Sequence, residues 1–119
     1  MSNALDDLIA KVEAGSEDLN RSLPWSRALD PSIGLDARSA FNGSLDAALA
    51  LHNAVLPGWV VNGLDQAANL AGDPWGCEVA YFNGSNPNNN RKAYSGHDYS
   101  SAARAWLLAI LRAMKELNQ

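Results

Sequence analysis

Apolar positions recur at helical spacing at both ends of the chain and alternate at strand spacing between them. Leu5, Leu8, Ile9 and Val12 lie on one face behind Ser2 and Asn3 as caps, with Asp6 and Asp7 in the first turn and Gly15 as the stop. A second helix opens at Ser16, carries Leu19 and Leu23 four residues apart, and ends at Pro24. Residues 26–43 break the pattern. Pro31, Gly34 and Gly43 punctuate them, and the isolated Leu29, Ile33, Leu35 and Phe41 predict an irregular loop lying on the core.

Ser44 begins the clearest local signal, SLDAALALHNAVLPGW. Asp46 falls in its first turn, Leu45, Ala48, Leu49, His52 and Leu56 share a face, and Pro57-Gly58 ends the helix. Trp59, Val60 and Val61 predict a short strand interrupted by Asn62-Gly63, then a loop or single helical turn through Ala71. WGCEVAYF alternates, with Trp75, Cys77, Val79 and Tyr81 forming the better core face and Glu78 keeping the other face partly wet. Residues 83–90 are an asparagine-rich insertion longer than a tight hairpin needs. Residues 91–95 return as a third strand, and Gly96 separates it from the last helix.

That helix, from Asp98 to about Leu117, has a wide apolar stripe through Ala103, Trp106, Leu107, Ile110, Leu111 and Met114, opposite Arg104, Arg112, Lys115 and Glu116. Burying each large side chain of the stripe contributes on the order of 1.5–3 kcal/mol, which makes this helix the expected backbone of the core. The expected fold is a sandwich-like α+β domain, order α-α-loop-α-β-β-β-α, with a small three-stranded antiparallel sheet covered by the third and last helices. It divides into a helical pair over 1–25, a loop over 26–43 and an α-β-β-β-α unit over 44–119, the first two helices being candidates to cover the sheet's second face.

Composition narrows the function. With 119 residues, 47% apolar and 18% charged, the chain has the size and make-up of one globular domain. A net charge of -4 provides no basic footprint for a phosphate backbone, so nucleic acid is an unfavoured partner. Cys77 is the single cysteine, which excludes an internal disulfide and a thiolate-rich metal centre. No run of eighteen apolar residues suits a membrane span, and the N-terminus lacks a signal-peptide pattern; a cytoplasmic protein is expected.

Candidate chemistry is sparse. His97-Asp98 has the residue types of an oriented imidazole, but Asp98 is also placed to cap the last helix. His52 sits on an apolar helix face as a core-edge histidine, and Cys77 on the inward face of a strand as a packing residue. No nucleophile elbow, phosphate loop or HExxH pair occurs, so no catalytic residue, metal or cofactor is assigned. The candidate binding residues are Trp25, either the plug of its irregular segment or an exposed anchor for a partner, and Arg91, Lys92 and Tyr94 at the exit of the asparagine loop. Leu108 falls in the polar stripe of the last helix and, with Ala105, is a candidate oligomer seam in a monomer or homodimer.

From Ser44 onward, the order helix, three strands, helix resembles a double-stranded RNA-binding domain. The start of the last helix holds His97, Asp98, Tyr99, Ser100 and Ser101 where such a domain grips phosphate with basic residues, so the likeness is one of shape. A second resemblance covers most of the chain: DLIAKVEA with Gly15-Ser16, GSLDAALAL with Pro57-Gly58-Trp59, a Trp-led strand and an Ala/Leu-rich closing helix. Through Leu8, Ile9, Glu13, Ser44, Asp46, Ala47, Ala48, Leu49, Gly58 and Trp59 it is similar to the phage ABA sandwich domain family. The long loop before Phe41 and the asparagine insertion depart from that family. The resemblance implies a phage-linked α/β fold in a bacterial cytoplasm and no particular reaction. The leading expectation is a non-catalytic module that binds a host or phage protein; the alternatives are a nucleic-acid binder and, third, an enzyme using His97 and Asp98 or Cys77.

Overall fold

The computed structural model describes residues 4–21, 23–66, 75–82, 91–98 and 101–117. The fold is α+β, with a three-stranded antiparallel sheet of order β1-β2-β3. Helix α1 is Ala4–Ala14, and its Leu5, Leu8, Ile9 and Val12 are all buried. It ends in a left-handed Gly15 (φ 64), with the amides of Gly15 and Ser16 donating to the carbonyls of Val12 and Lys11, a closure that satisfies the last turn.

Ser16 caps a single 3-10 turn, Glu17–Asn20, by accepting from the Asp18 amide at 3.2 Å. The expected second helix is therefore only this turn, and Pro24 does not end it. Pro24 lies in the first turn of a new helix α2, Leu23–Ala28, where its missing amide costs nothing.

The expected loop over 26–43 is a helix. Asp30 caps α3, Pro31–Phe41, by accepting from the Ser32 amide at 2.9 Å, and Pro31 opens the first turn. The buried side of α3 is Gly34, Ala37, Ala40 and Phe41, a stripe too small to register as hydrophobic, while Leu35 points outward at 75% exposure. Ser44 then caps α4, Leu45–Val55, accepting from Ala47 at 3.1 Å. Its buried side is Ala47, Ala48, Leu51 and His52, rotated from the expected face. Leu45 and Leu49 are 46% and 47% exposed.

Leu56, Pro57, Gly58 and Trp59 form a turn closed by the Trp59 amide on the Leu56 carbonyl at 3.0 Å, and Gly58 (φ 85) supplies the positive φ that follows proline in this turn type. Strands β1 (Val60–Gln66), β2 (Trp75–Phe82) and β3 (Arg91–Asp98) pair antiparallel. Asn62-Gly63 does not interrupt β1: the register shifts between Val61, opposite Val79, and Gly63, opposite Glu78, so the strand absorbs the extra residue as a bulge. Phe82 pairs with Arg91, which makes residues 83–90 the connection between neighbouring strands.

Helix α5, Ala102–Leu117, starts later than expected, and Gly96 is part of β3. Gly96 is where α5 crosses the sheet: a Cβ there would lie 2.4 Å from the Ala105 carbonyl oxygen and 2.6 Å from the Leu108 Cβ. One side of α5 packs on β2 and β3 and the other on α1, α3 and α4. A helix covered on both sides must be apolar nearly all round, and Ala105, Trp106, Leu107, Leu108, Ile110 and Leu111 are all buried.

Its three basic residues tie the layers together, while Glu116 is exposed. Arg104 donates to the Phe41 carbonyl at 2.8 Å with its guanidinium 3.8 Å from the Phe41 ring centroid. Arg112 bridges the Ser95 carbonyl and Glu13, and Lys115 meets Asp6 at 2.8 Å. The Asp6 carboxylate holds the Lys115 ammonium above its ordinary range. The expectation that the N-terminal helices cover the sheet's second face is thus corrected. That face leaves Val60, Ser95 and His97 exposed. Among the described residues no helix is long and apolar enough to cross a membrane.

Candidate functional site

Trp25 is a plug and not an exposed anchor. It is 2% exposed, its Nε1 donates to the Leu19 carbonyl at 2.9 Å, and its ring lies 5.8 Å from that of Phe41. Trp25 projects from α2 onto the 3-10 turn that carries Leu19, which makes an irregular-looking segment part of the core. Leu108 is no oligomer seam either. It is 1% exposed because it sits on Gly96, with Ala105 beside it on the same covered side.

Of the candidate residues at the exit of the asparagine loop, Tyr94 is described, and it is half-buried. Tyr94 lies on the sheet face under α5, its ring 6.0 Å from Trp59, and burial together with Glu116 pushes its phenol up. The side chains of Arg91 and Lys92, and all of residues 83–90, lie outside the described residues.

His97 and Asp98 are separated by the pleat. His97 is exposed, whereas the Asp98 carboxylate accepts from the Ser101 amide at 2.9 Å. The cap of α5 is Ser101, whose hydroxyl accepts from the Arg104 amide at 3.2 Å. His52 is a satisfied core residue. The Trp106 indole N–H can only donate, and it does so to His52 Nδ1 at 3.3 Å, which leaves the proton on Nε2 for the Trp59 carbonyl 2.9 Å away. Cys77 is buried among the core side chains, and that desolvation, with Glu78 adding a like charge, pushes its thiol up to about 12. Among the described residues no three His, Cys, Asp or Glu side chains gather as a metal site.

Among the described residues two concave surfaces stand out. A cleft of about 230 Å³ between α1 and the start of α2 is lined by Asp7, Lys11, Asp18, Arg21 and Arg27. Its charges offset one another, Lys11 and Asp18 being 3.5 Å apart. The larger is an open groove of about 520 Å³ where the α3–α4 turn, the first residue of β2 and the first turn of α5 meet. Phe41, Leu45, Trp75, Ala103 and Arg104 line it. Phe41 and Ala103 are buried and form the floor, while Leu45 is exposed and Trp75 half-buried at the wall.

Trp75 was legible only as a core position of β2. It is half-buried and packs on the core while also lining the groove, at the end of the sheet where it pairs with Gln66 and Asp98. No family model, curated protein or solved structure matches the chain.

Proposed function

We propose that this chain is a non-catalytic module that binds another protein through the groove at Trp75. The observation that supports this most directly is the combination of an apolar floor, a half-buried tryptophan and an exposed leucine on a frame fixed by three caps and a helix crossing. Large aromatics that are partly open in a rigid pocket are the side chains on which protein interfaces concentrate their affinity. The separation of His97 from Asp98, the burial of Cys77 and the double engagement of His52 support the non-catalytic reading. The similarity to the phage ABA sandwich domain family points to a host or phage protein as the partner, in a bacterial cytoplasm.

Capture experiments with the wild-type chain, a Trp75→Ala variant and a Leu35→Ala control, each checked for intact fold by circular dichroism, test the reading. A partner retained by wild type and Leu35→Ala and lost by Trp75→Ala supports it. Capture indifferent to Trp75, or no specific partner for the wild type, removes it.

A further inference from the structure

The outward side of α4 is a second surface, separate from the groove except at Leu45, and every residue that forms it is described. Its exposed residues are Leu45, Asp46, Leu49, Ala50, Asn53 and Ala54, and Asp46 is the one charge among them. At 3.6 residues per turn, Asp46 and Asn53 run along the centre of this side, Leu45 and Leu49 along one shoulder, and Ala50 and Ala54 along the other. Among the described residues α4 meets α3 and α5 on its buried side, and four of the six residues on its outward side are apolar.

We propose that the outward side of α4 is a self-association surface, occupied by α4 of a second copy lying antiparallel across a two-fold axis between Leu49 and Ala50. The face carries its own complement. Asp46 and Asn53 stand at equal distances from that axis, so each carboxylate faces the partner's amide, while the two carboxylates remain roughly 10 Å apart at 1.5 Å rise per residue. The same operation sets Leu49 against its own copy with the two Leu45 side chains extending the row, and the small Ala50 shoulders let the helices approach. Charge selects this face as well. Two chains of net charge -4 repel over most of their surfaces, and here each contributes a single acid already matched by an amide. An eleven-residue helix gives an interface at the small end of the specific range, so the dimer is concentration-dependent.

Light scattering over a protein concentration range, together with cysteine crosslinking, tests the proposal. The expected results are a mass that rises from monomer to dimer with concentration, dimer lost in Leu49→Asp, and association weakened about fivefold or more in Asn53→Asp, which sets acid against acid. Leu49→Cys should form a disulfide-linked dimer under mild oxidation. Leu35→Cys, on the exposed side of α3, should not, and the buried Cys77 is silent in both. Because Leu49 does not line the groove, Leu49→Asp should still capture the groove's partner, so the two readings fail separately. A monomeric mass at every concentration, or a dimer that ignores Leu49→Asp, overturns the proposal.

Discussion

Gly96→Ala probes the contact on which the layering depends. The added Cβ would stand 2.4 Å from the Ala105 carbonyl oxygen, 2.6 Å from the Leu108 Cβ and 2.7 Å from the Ala109 amide nitrogen. The nearest of these is about 1 Å short of ordinary van der Waals contact, and two of the three obstacles are backbone atoms that no rotamer change can move. Either β3 or α5 must shift as a body, loosening Leu107, Leu108 and Leu111 together. Overpacking ordinarily costs 1–3 kcal/mol, and a backbone obstacle puts this substitution at the upper end, about 3 kcal/mol, out of a total stability of roughly 5–15 kcal/mol. For a chain of this length that lowers Tm by about 10 °C. Urea titration and thermal melts followed by circular dichroism read the change. Gly34→Ala is the internal comparison: Gly34 lies in α3, nothing stands within 4 Å of its added Cβ, and the gain in helix propensity should stabilise by about 0.5–1 kcal/mol. Equal effects from the two substitutions, or a Gly96→Ala protein as stable as wild type, would refute the reasoning that α5 rests on β3 at this residue.

Trp25→Phe keeps most of the ring packing but removes the donor to the Leu19 carbonyl, and should cost about 1–3 kcal/mol in chemical denaturation while leaving partner capture unchanged. The Cys77 thiol, raised from an ordinary 9.0 to about 12, makes stability pH-dependent at the alkaline end. The unfolded chain ionises first, so the contribution is complete below about pH 9 and is lost as pH rises toward 12, with a slope approaching 1.4 kcal/mol per pH unit. Cys77→Ala should flatten that part of the stability profile, and an unchanged slope would disprove the assignment. Despite the α4-β1-β2-β3-α5 order, duplex RNA should not be retarded in a gel shift even at low salt, because Arg104 at the start of α5 is turned onto Phe41.

What could be read from the sequence followed the size of the side chains. Leu5, Leu8, Ile9 and Val12 announce α1, and the alternation of Cys77 and Val79 announces the core face of β2, because each buried position is large. Helix α3 was invisible for the opposite reason: Gly34, Ala37 and Ala40 bury little apolar area each, while the conspicuous Leu35 faces water. Asp30-Pro31 was its one local signal, a cap followed by a first-turn proline. The middle position of α5 was hidden by Arg104, Arg112 and Lys115, which look like a solvent face until their partners Phe41, Glu13 and Asp6 are known. Those partners lie far away in sequence, and no local periodicity encodes them. For the same reason Trp25 and Leu108 could not be recognised as core, and the groove at Trp75 depends on where three distant segments meet.

A site-specific photo-crosslinker at position 42, where the exposed Asn42 lines the groove, tests the binding surface most directly because it leaves Trp75 in place. In the presence of a bacterial lysate, the residue at 42 should crosslink to one protein species, and the same crosslinker at exposed position 35 should not. Crosslinking of that species from position 35 but not from 42, or none from either, would contradict the assignment of this face as the binding surface.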